Sequence, residues 1–287
     1  MINPKYLFSY PGNKRTLIPI LQPFEGVETF IETHAGSSAF TLQMIERYPN
    51  ARFLIAEKDR SIRNILRSCY RKETRDTLIS RAIEIRDAFL LNNNHWQTIK
   101  ENAIAGCGAS KLIFQRISHG SVARTSKNGQ YNVVWSPDKV KSLRSWVPKL
   151  PKFFDTDLTV LDSADYCFEQ AYASTCVFID PPYYAPSKTR CYPGHNPASI
   201  FTATAVVKTL EKAVKRECKQ IWLTHYKIEL VDDLIRSLDL SNYVLTETAL
   251  GELPALGLGN GNFKHGAFAA KKKTIAVDTL YEFNRIF

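Results

Sequence analysis

Short apolar runs ending in polar residues recur along this chain at Thr29–Ile31, Phe53–Ala56, Leu158–Leu161, Cys176–Ile179 and Gln220–Leu223, each the size of a buried strand. Between several of them the hydrophobic period becomes that of a helix. Ile62, Ile65, Leu66, Cys69 and Tyr70 fall at i, i+3, i+4, i+7 and i+8, Val206, Val207, Leu210, Ala213 and Val214 line one face of a second helix, and Leu230, Val231, Leu234, Ile235 and Leu238 mark a third. Strands and helices alternating at this spacing predict a doubly wound, Rossmann-like α/β sheet, in which ligands sit at the carboxyl ends of the strands.

The strand-rich pattern runs to about Arg60 and resumes near Asp155. The segment between is mainly helical or irregular in patterning. This predicts an inserted domain over 62–154, with 1–61 and 155–287 forming the core. The insertion also carries the charge: it holds 17 Lys and Arg against 6 Asp and Glu, a balance of +11, so the rest of the chain sums to −1 in a total of +10. Concentrated positive charge is the footprint of a surface that tracks phosphates. The cations lie among aromatic and polar residues rather than on one clean amphipathic helix, which argues against an anionic membrane surface. No apolar stretch approaches membrane-spanning length and the first residues do not read as a signal peptide, so a cytoplasmic protein is expected. Six scattered cysteines without a CxxC pair point to reduced thiols and to no metal site.

The sharpest motif is Asp180-Pro181-Pro182-Tyr183, directly after the run Cys176–Ile179. Such a group at a strand's carboxyl end suits transfer of a methyl group to an aromatic amine. That amine is a poor nucleophile, because its lone pair is delocalised into the ring. A carboxylate (Asp180) accepting one N–H and a carbonyl (Pro181) accepting the other favour a tetrahedral nitrogen whose lone pair faces the methyl donor. Pro181 and Pro182 stiffen the turn, and Tyr183 would stack on a base rotated out of the duplex. No metal is required.

A second element, Phe30-Ile31-Glu32-Thr33-His34-Ala35-Gly36-Ser37-Ser38-Ala39-Phe40, reads as a strand, a turn of small residues and a helix start. Small residues let the backbone approach a cofactor. Glu57 lies 21 residues past Gly36 at the end of the next strand, where ribose hydroxyls are bound in folds of this kind. A structural turn closed by one glycine and a glutamate reads the same way.

Taken in order, these elements resemble the Dam-type DNA adenine-N6 methyltransferases (D12 class, alpha group). Ser9-Tyr10-Pro11-Gly12-Asn13-Lys14 resembles the family's opening W-A-G-G-K element, Glu32 to Phe40 its E-P-F-x-G-x-G stretch, and Ala56-Glu57-Lys58-Asp59 its A-D-I-N element. Gly129-Gln130-Tyr131-Asn132-Val133 resembles its G-x-F-N-V run, Asp165-Tyr166 its D-F element, and Asp180 to Tyr183 its catalytic motif. The resemblance implies a methyltransferase sheet, S-adenosylmethionine as cofactor, and double-stranded DNA as partner, with the target base flipped. It implies a cofactor pocket at Tyr10, Lys14, Gly36, Glu57, Asp165 and Tyr166. It places the target base at Asp180, Pro181, Pro182 and Tyr183. Arg116, Arg124, Lys127, Asn128 and Asn132 fall in what resembles the family's DNA-contacting hairpin, with Arg124 as the candidate base contact.

The chain departs from the pattern at His34, which replaces an aromatic, at Ser38, which stands where a second glycine is usual, and at Tyr10, which stands for Trp. The stretch 247–273 matches no closing motif of the family. His225, at a strand end, reads as structural. Three alternatives stay open: transfer to cytosine N4, a nicotinamide dehydrogenase on a similar sheet, and a DNA-binding relative that has lost catalysis.

Overall fold

The computed structural model describes residues 7, 14, 17–119, 131–153, 155–182, 200–253 and 276–286. All five apolar runs form strands: β1 (Thr29–Glu32), β2 (Arg52–Ala56), β3 (Leu158–Leu161), β4 (Thr175–Ile179) and β5 (Gln220–Tyr226). Two further strands, β6 (Tyr243–Leu253) and β7 (Ala276–Arg285), complete a seven-stranded sheet among the described residues, in the order β3-β2-β1-β4-β5-β7-β6. The first five run parallel, whereas β7 pairs antiparallel with both β5 and β6. From β1 the chain steps outward through β2 to β3, then returns to place β4 on the other side of β1. The strand order reverses between β1 and β4, and in open α/β sheets a crevice for ligands opens above such a point.

Parallel central strands are covered on both faces and so read as continuous apolar runs, as every residue of β1 and β4 does in being buried. Alternate residues face opposite layers. Phe30, Phe53, Cys176, Phe178 and Trp222 point to one layer; Ile31, Leu54, Val177, Ile179, Ile221 and Leu223 point to the other. The first layer is packed by α1 (Ala39–Arg47) and α2 (Arg60–Ser68). Aromatic rings fill it, with Phe30 stacked on Phe53 at 5.4 Å and Phe40 on Phe178 at 4.6 Å. The predicted helix over Ile62–Tyr70 is α2, started by the Asp59 carboxylate accepting from Ser61 N–H at 2.9 Å.

The basic segment continues through α3 (Lys72–Leu91), α4 (Trp96–Ile104), α5 (Gly108–Ile117) and α6 (Pro137–Lys141). Phe89, Trp96, Ile99, Ala103, Ile113, Phe114, Ile117, Tyr131 and Leu143 form a core of its own. The segment also shares the sheet's core, through Ala82, Ala109, Leu112, Leu150 and Phe153. The second layer is packed by α7 (Ala164–Phe168), α8 (Ile200–Lys215) and α9 (Glu229–Arg236), the last two matching the remaining predicted helices. Among the described residues no helix is long and apolar enough to cross a membrane. The five cysteines described, Cys69, Cys107, Cys167, Cys176 and Cys218, are free thiols.

Candidate active site

The carboxyl end of β4 delivers Asp180. Because Ile179 is level with Leu223 in the register, the next residue of β5, Thr224, lies beside Asp180. The buried Thr224 hydroxyl donates to Asp180 Oδ1 at 2.6 Å, and Lys14 Nζ stands 3.3 Å from the same oxygen. Among the described residues both contacts fall on Oδ1 and none on Oδ2. Oδ1 is fixed by these two groups, and within the described residues Oδ2 keeps its acceptor capacity. Pro181 is buried and Pro182 half-buried behind it.

Two further groups at the end of β1 lie in the electrostatic reach of Asp180. Glu32 is fully buried; its Oε2 accepts from Thr41 Oγ1 at 2.6 Å and from Thr41 N–H at 3.3 Å. Burial, reinforced by the Asp180 charge, pushes Glu32 up to about 8 against those hydrogen bonds. The half-buried His34, bonded through Nδ1 to Thr33 Oγ1 at 2.8 Å, is pulled down to about 4 by loss of solvation, which outweighs the nearby Asp180. At neutral pH the site therefore presents a neutral Glu32 and a neutral imidazole around Asp180.

Glu32 sets a pH dependence. Its folded value lies above its ordinary 4.5, so its stabilising contribution is complete below 4.5 and is lost as pH rises through about 8. Glu32→Gln, an isostere of the neutral acid, is expected to flatten the fall in melting temperature between those limits. A variant whose melting temperature tracks the wild type over the whole range would show that Glu32 titrates normally.

Along the neighbouring strand ends the second group assembles. Gly36 has a φ of 49° and donates its N–H to Glu57 Oε2 at 2.7 Å, while Glu57 Oε1 accepts from Asp59 N–H at 2.7 Å. The turn after β1 and the loop after β2 are thus joined through one carboxylate. Ser38 shares the left-handed conformation at a φ of 54°, which explains why its place suits a glycine; a serine there carries a strain of ~1 kcal/mol. Its buried Oγ has no hydrogen-bond partner among the described residues. Beyond β3, Asp165 lies in the first turn of α7, where Ser163 caps the helix, and pairs with Lys212 of α8; Tyr166 next to it is half exposed.

The segment 62–154 reaches this site through Arg63, which donates to the Glu57 and Lys58 carbonyls, and through Lys111. Lys111 of α5, 1% exposed, reaches Asp59 Oδ2 at 2.7 Å and the Tyr131 hydroxyl at 3.1 Å. Of the candidate DNA contacts, Arg116 lies across the Trp146 ring, 5.9 Å from its centroid, and donates to Ser142 Oγ at 2.9 Å. Asn132 is exposed between buried Tyr131 and Val133. Tyr10, Tyr183, Arg124, Lys127 and Asn128 lie outside the described residues, as does 254–273 of the unmatched stretch, whose beginning forms the end of β6. His225 is buried in the ladder opposite Thr279.

Sequence reasoning missed Thr224, Asp59 and Lys111. The equal offsets of Asp180 and Thr224 from their apolar runs, each the next residue after Ile179 and Leu223, are the one signal that points to Thr224. No group of His, Cys, Asp and Glu able to hold a metal occurs among the described residues.

A family model described as D12 class N6 adenine-specific DNA methyltransferase matches residues 10–249. No curated protein matches the chain. Among solved structures, a precorrin-6y C5,15-methyltransferase from Geobacter metallireducens is 9% identical with a TM-score of 0.40, over 99% of this chain and 94% of that one. A Pyrococcus horikoshii protein provisionally assigned as an RNA methyltransferase is 9% identical with a TM-score of 0.34, over 95% and 94%. Both superpositions are too loose for either protein's substrate to bear on this one.

Proposed function

The chain belongs to the D12 class N6 adenine-specific DNA methyltransferases, and from that premise we propose that Asp180 and the Pro181 carbonyl hold the target adenine amine for methyl transfer in duplex DNA. One observation carries this reading: Thr224 and Lys14 both engage Oδ1 of Asp180 at the strand-order reversal, so Oδ2 is left to accept an N–H of the amine.

The residues along the strand ends fit an adenosyl cofactor. A turn containing Gly36 and Ser38 leaves room for close approach and holds a buried hydroxyl without a partner among the described residues. Each Glu57 oxygen takes one backbone N–H and keeps a further lone-pair site for a ribose hydroxyl. Tyr166 offers a half-exposed ring beside Asp165 where the cofactor adenine would lie. S-adenosylmethionine supplies an electrophilic methyl group when bound there.

The rest is done by this chain. With one amine hydrogen on Asp180 Oδ2 and the other on the Pro181 carbonyl, the nitrogen lone pair leaves the ring and points across the crevice towards Gly36 and Glu57. The ring must leave the base stack for this, with Tyr183 as the stacking platform. The basic segment 62–154 would hold the duplex, with Arg116, Asn132, Arg124, Lys127 and Asn128 as its candidate contacts.

Product analysis tests the reading. Plasmid DNA treated with the protein and methyl-labelled S-adenosylmethionine, digested to nucleosides and separated, is expected to carry the label on N6-methyladenine. Label on N4-methylcytosine would keep the hydrogen-bond scheme and overturn the base, whereas label confined to RNA or protein would overturn the DNA reading.

A further inference from the structure

We propose that Lys111 is a positioning residue of the cofactor site: delivered from α5, its ammonium holds Asp59, and through Asp59 the Glu57 carboxylate, ready for the ribose of the methyl donor. The inference rests on Glu57 being the ribose acceptor.

The geometry is a continuous chain of polar contacts. Lys111 Nζ donates to Asp59 Oδ2 at 2.7 Å, the Asp59 N–H donates to Glu57 Oε1 at 2.7 Å, and Glu57 Oε2 accepts from Gly36 N–H at 2.7 Å. Asp59 Oδ1 is occupied separately, by the hydroxyl and N–H of Ser61 at the start of α2. The ammonium is caged: it lies 5.3 Å from the Tyr131 ring centroid and 5.8 Å from that of Phe114. A cation this deeply buried is held in place by its partners and cannot be replaced by solvent.

Charge balance gives the arrangement its purpose. Glu57 and Asp59 place two carboxylates two residues apart in one loop. The charged groups around Glu57 are Asp59 and Lys58 from its own loop, Arg63 from α2 and Lys111 from α5, with the Tyr131 hydroxyl beyond. Arg63 spends its guanidinium on the carbonyls of Glu57 and Lys58, at 2.7 and 2.8 Å. Lys111 is thus the cation that offsets the carboxylates. Burial and the Asp59 charge raise Glu57, and Lys111 opposes them. Burial also acts to raise Asp59, yet Lys111 and the hydrogen bonds hold it below the usual range. A ribose acceptor must be ionised to take two hydroxyl protons in hydrogen bonds. The helical segment therefore completes the cofactor site as well as carrying the basic surface.

The test is calorimetric titration of the full-length protein with S-adenosylmethionine between about pH 6 and 9, comparing wild type, Lys111→Met, Lys111→Gln and Glu57→Gln. Lys111→Gln keeps an amide donor for Asp59 and Tyr131 without the charge, so it serves where Lys111→Met does not fold. Both lysine variants are expected to bind the cofactor about tenfold more weakly than wild type near pH 6.5. The ratio should shrink as pH rises, with the acid limb of binding moved up by about one pH unit. A loss that is the same at every pH, or affinity within twofold of wild type throughout, would overturn the proposal. If Glu57→Gln binds as well as wild type, the ribose reading itself fails. If Glu57→Gln is weakened while the lysine variants show no pH-dependent loss, Lys111 alone is refuted.

Discussion

Asp180→Ala is expected to lower the single-turnover rate of methyl transfer by roughly 10²- to 10³-fold, the scale seen when one preorganised hydrogen-bonding group is removed from a polar transition state. The loss corresponds to ~3–4 kcal/mol of barrier. Its source is specific: without an acceptor on one N–H the amine stays conjugated with the ring, and its lone pair never faces the methyl donor. DNA affinity should change only a few fold, since phosphate contacts supply most of the binding. The orientation of the carboxylate is separable from its presence. Thr224→Val removes the 2.6 Å hydrogen bond to Oδ1 but leaves Lys14 on the same oxygen, so a smaller loss of about tenfold is expected, with Thr224→Ser restoring the rate. If Asp180→Ala retains more than about a tenth of the wild-type rate, a deficit of only ~1.4 kcal/mol, another group accepts the amine proton.

How far such a site can be read beforehand depends on how its residues are spaced. Asp180 and Glu57 each follow an apolar run directly and Gly36 lies in the turn after another, so the rule that ligands sit at strand ends in a doubly wound sheet points to all three without coordinates. Thr224 sits by the same rule one residue past Leu223, yet a threonine inside an apolar strand reads as ordinary β-structure, and only the register shows it level with Asp180. Lys111 is harder still. A lysine on a helix reads as solvent-facing, and its partner lies 52 residues away in a loop of the other segment. The antiparallel strands β6, at the sheet edge, and β7, between β6 and β5, carry no long apolar run because an antiparallel strand can keep polar side chains on an open face: Thr246 and Thr248 are exposed, and a bulge interrupts the pairing between Ala249 and Gly251. Ser38 shows the converse. Its left-handed φ accounts for a glycine preference that the sequence presents only as a departure from a motif.

The charge of the helical segment was legible as a sum, and the structure refines which cations are available. Arg116 is engaged with Trp146 and Ser142, Lys139 with the Ser118 carbonyl, and Arg86 with the Trp146 carbonyl, so these hold the segment together. Arg71, Arg144 and Lys149 are exposed, and Lys72, Arg81 and Lys141 are exposed in surface ion pairs of the kind that contribute little. Such pairs are easily exchanged for phosphates.

DNA affinity is therefore expected to fall steeply with salt. If about six phosphates are neutralised, the loss between 50 and 200 mM salt is on the order of 10³-fold, because each contact releases condensed counterions. Fluorescence anisotropy with a labelled duplex carrying the methylation site measures it. Within that slope, two arginines should separate. Arg144→Ala is expected to weaken every duplex alike and make the slope shallower by about one, the behaviour of a phosphate contact. Arg124→Ala, in the stretch that resembles the family's DNA-contacting hairpin, is expected to cost roughly 1–3 kcal/mol on the cognate duplex and to relax preference at one base position. An equal loss on all sequences would make Arg124 a phosphate contact as well. A flat salt response would mean that the +11 balance of 62–154 is a solvated surface rather than the path of the duplex.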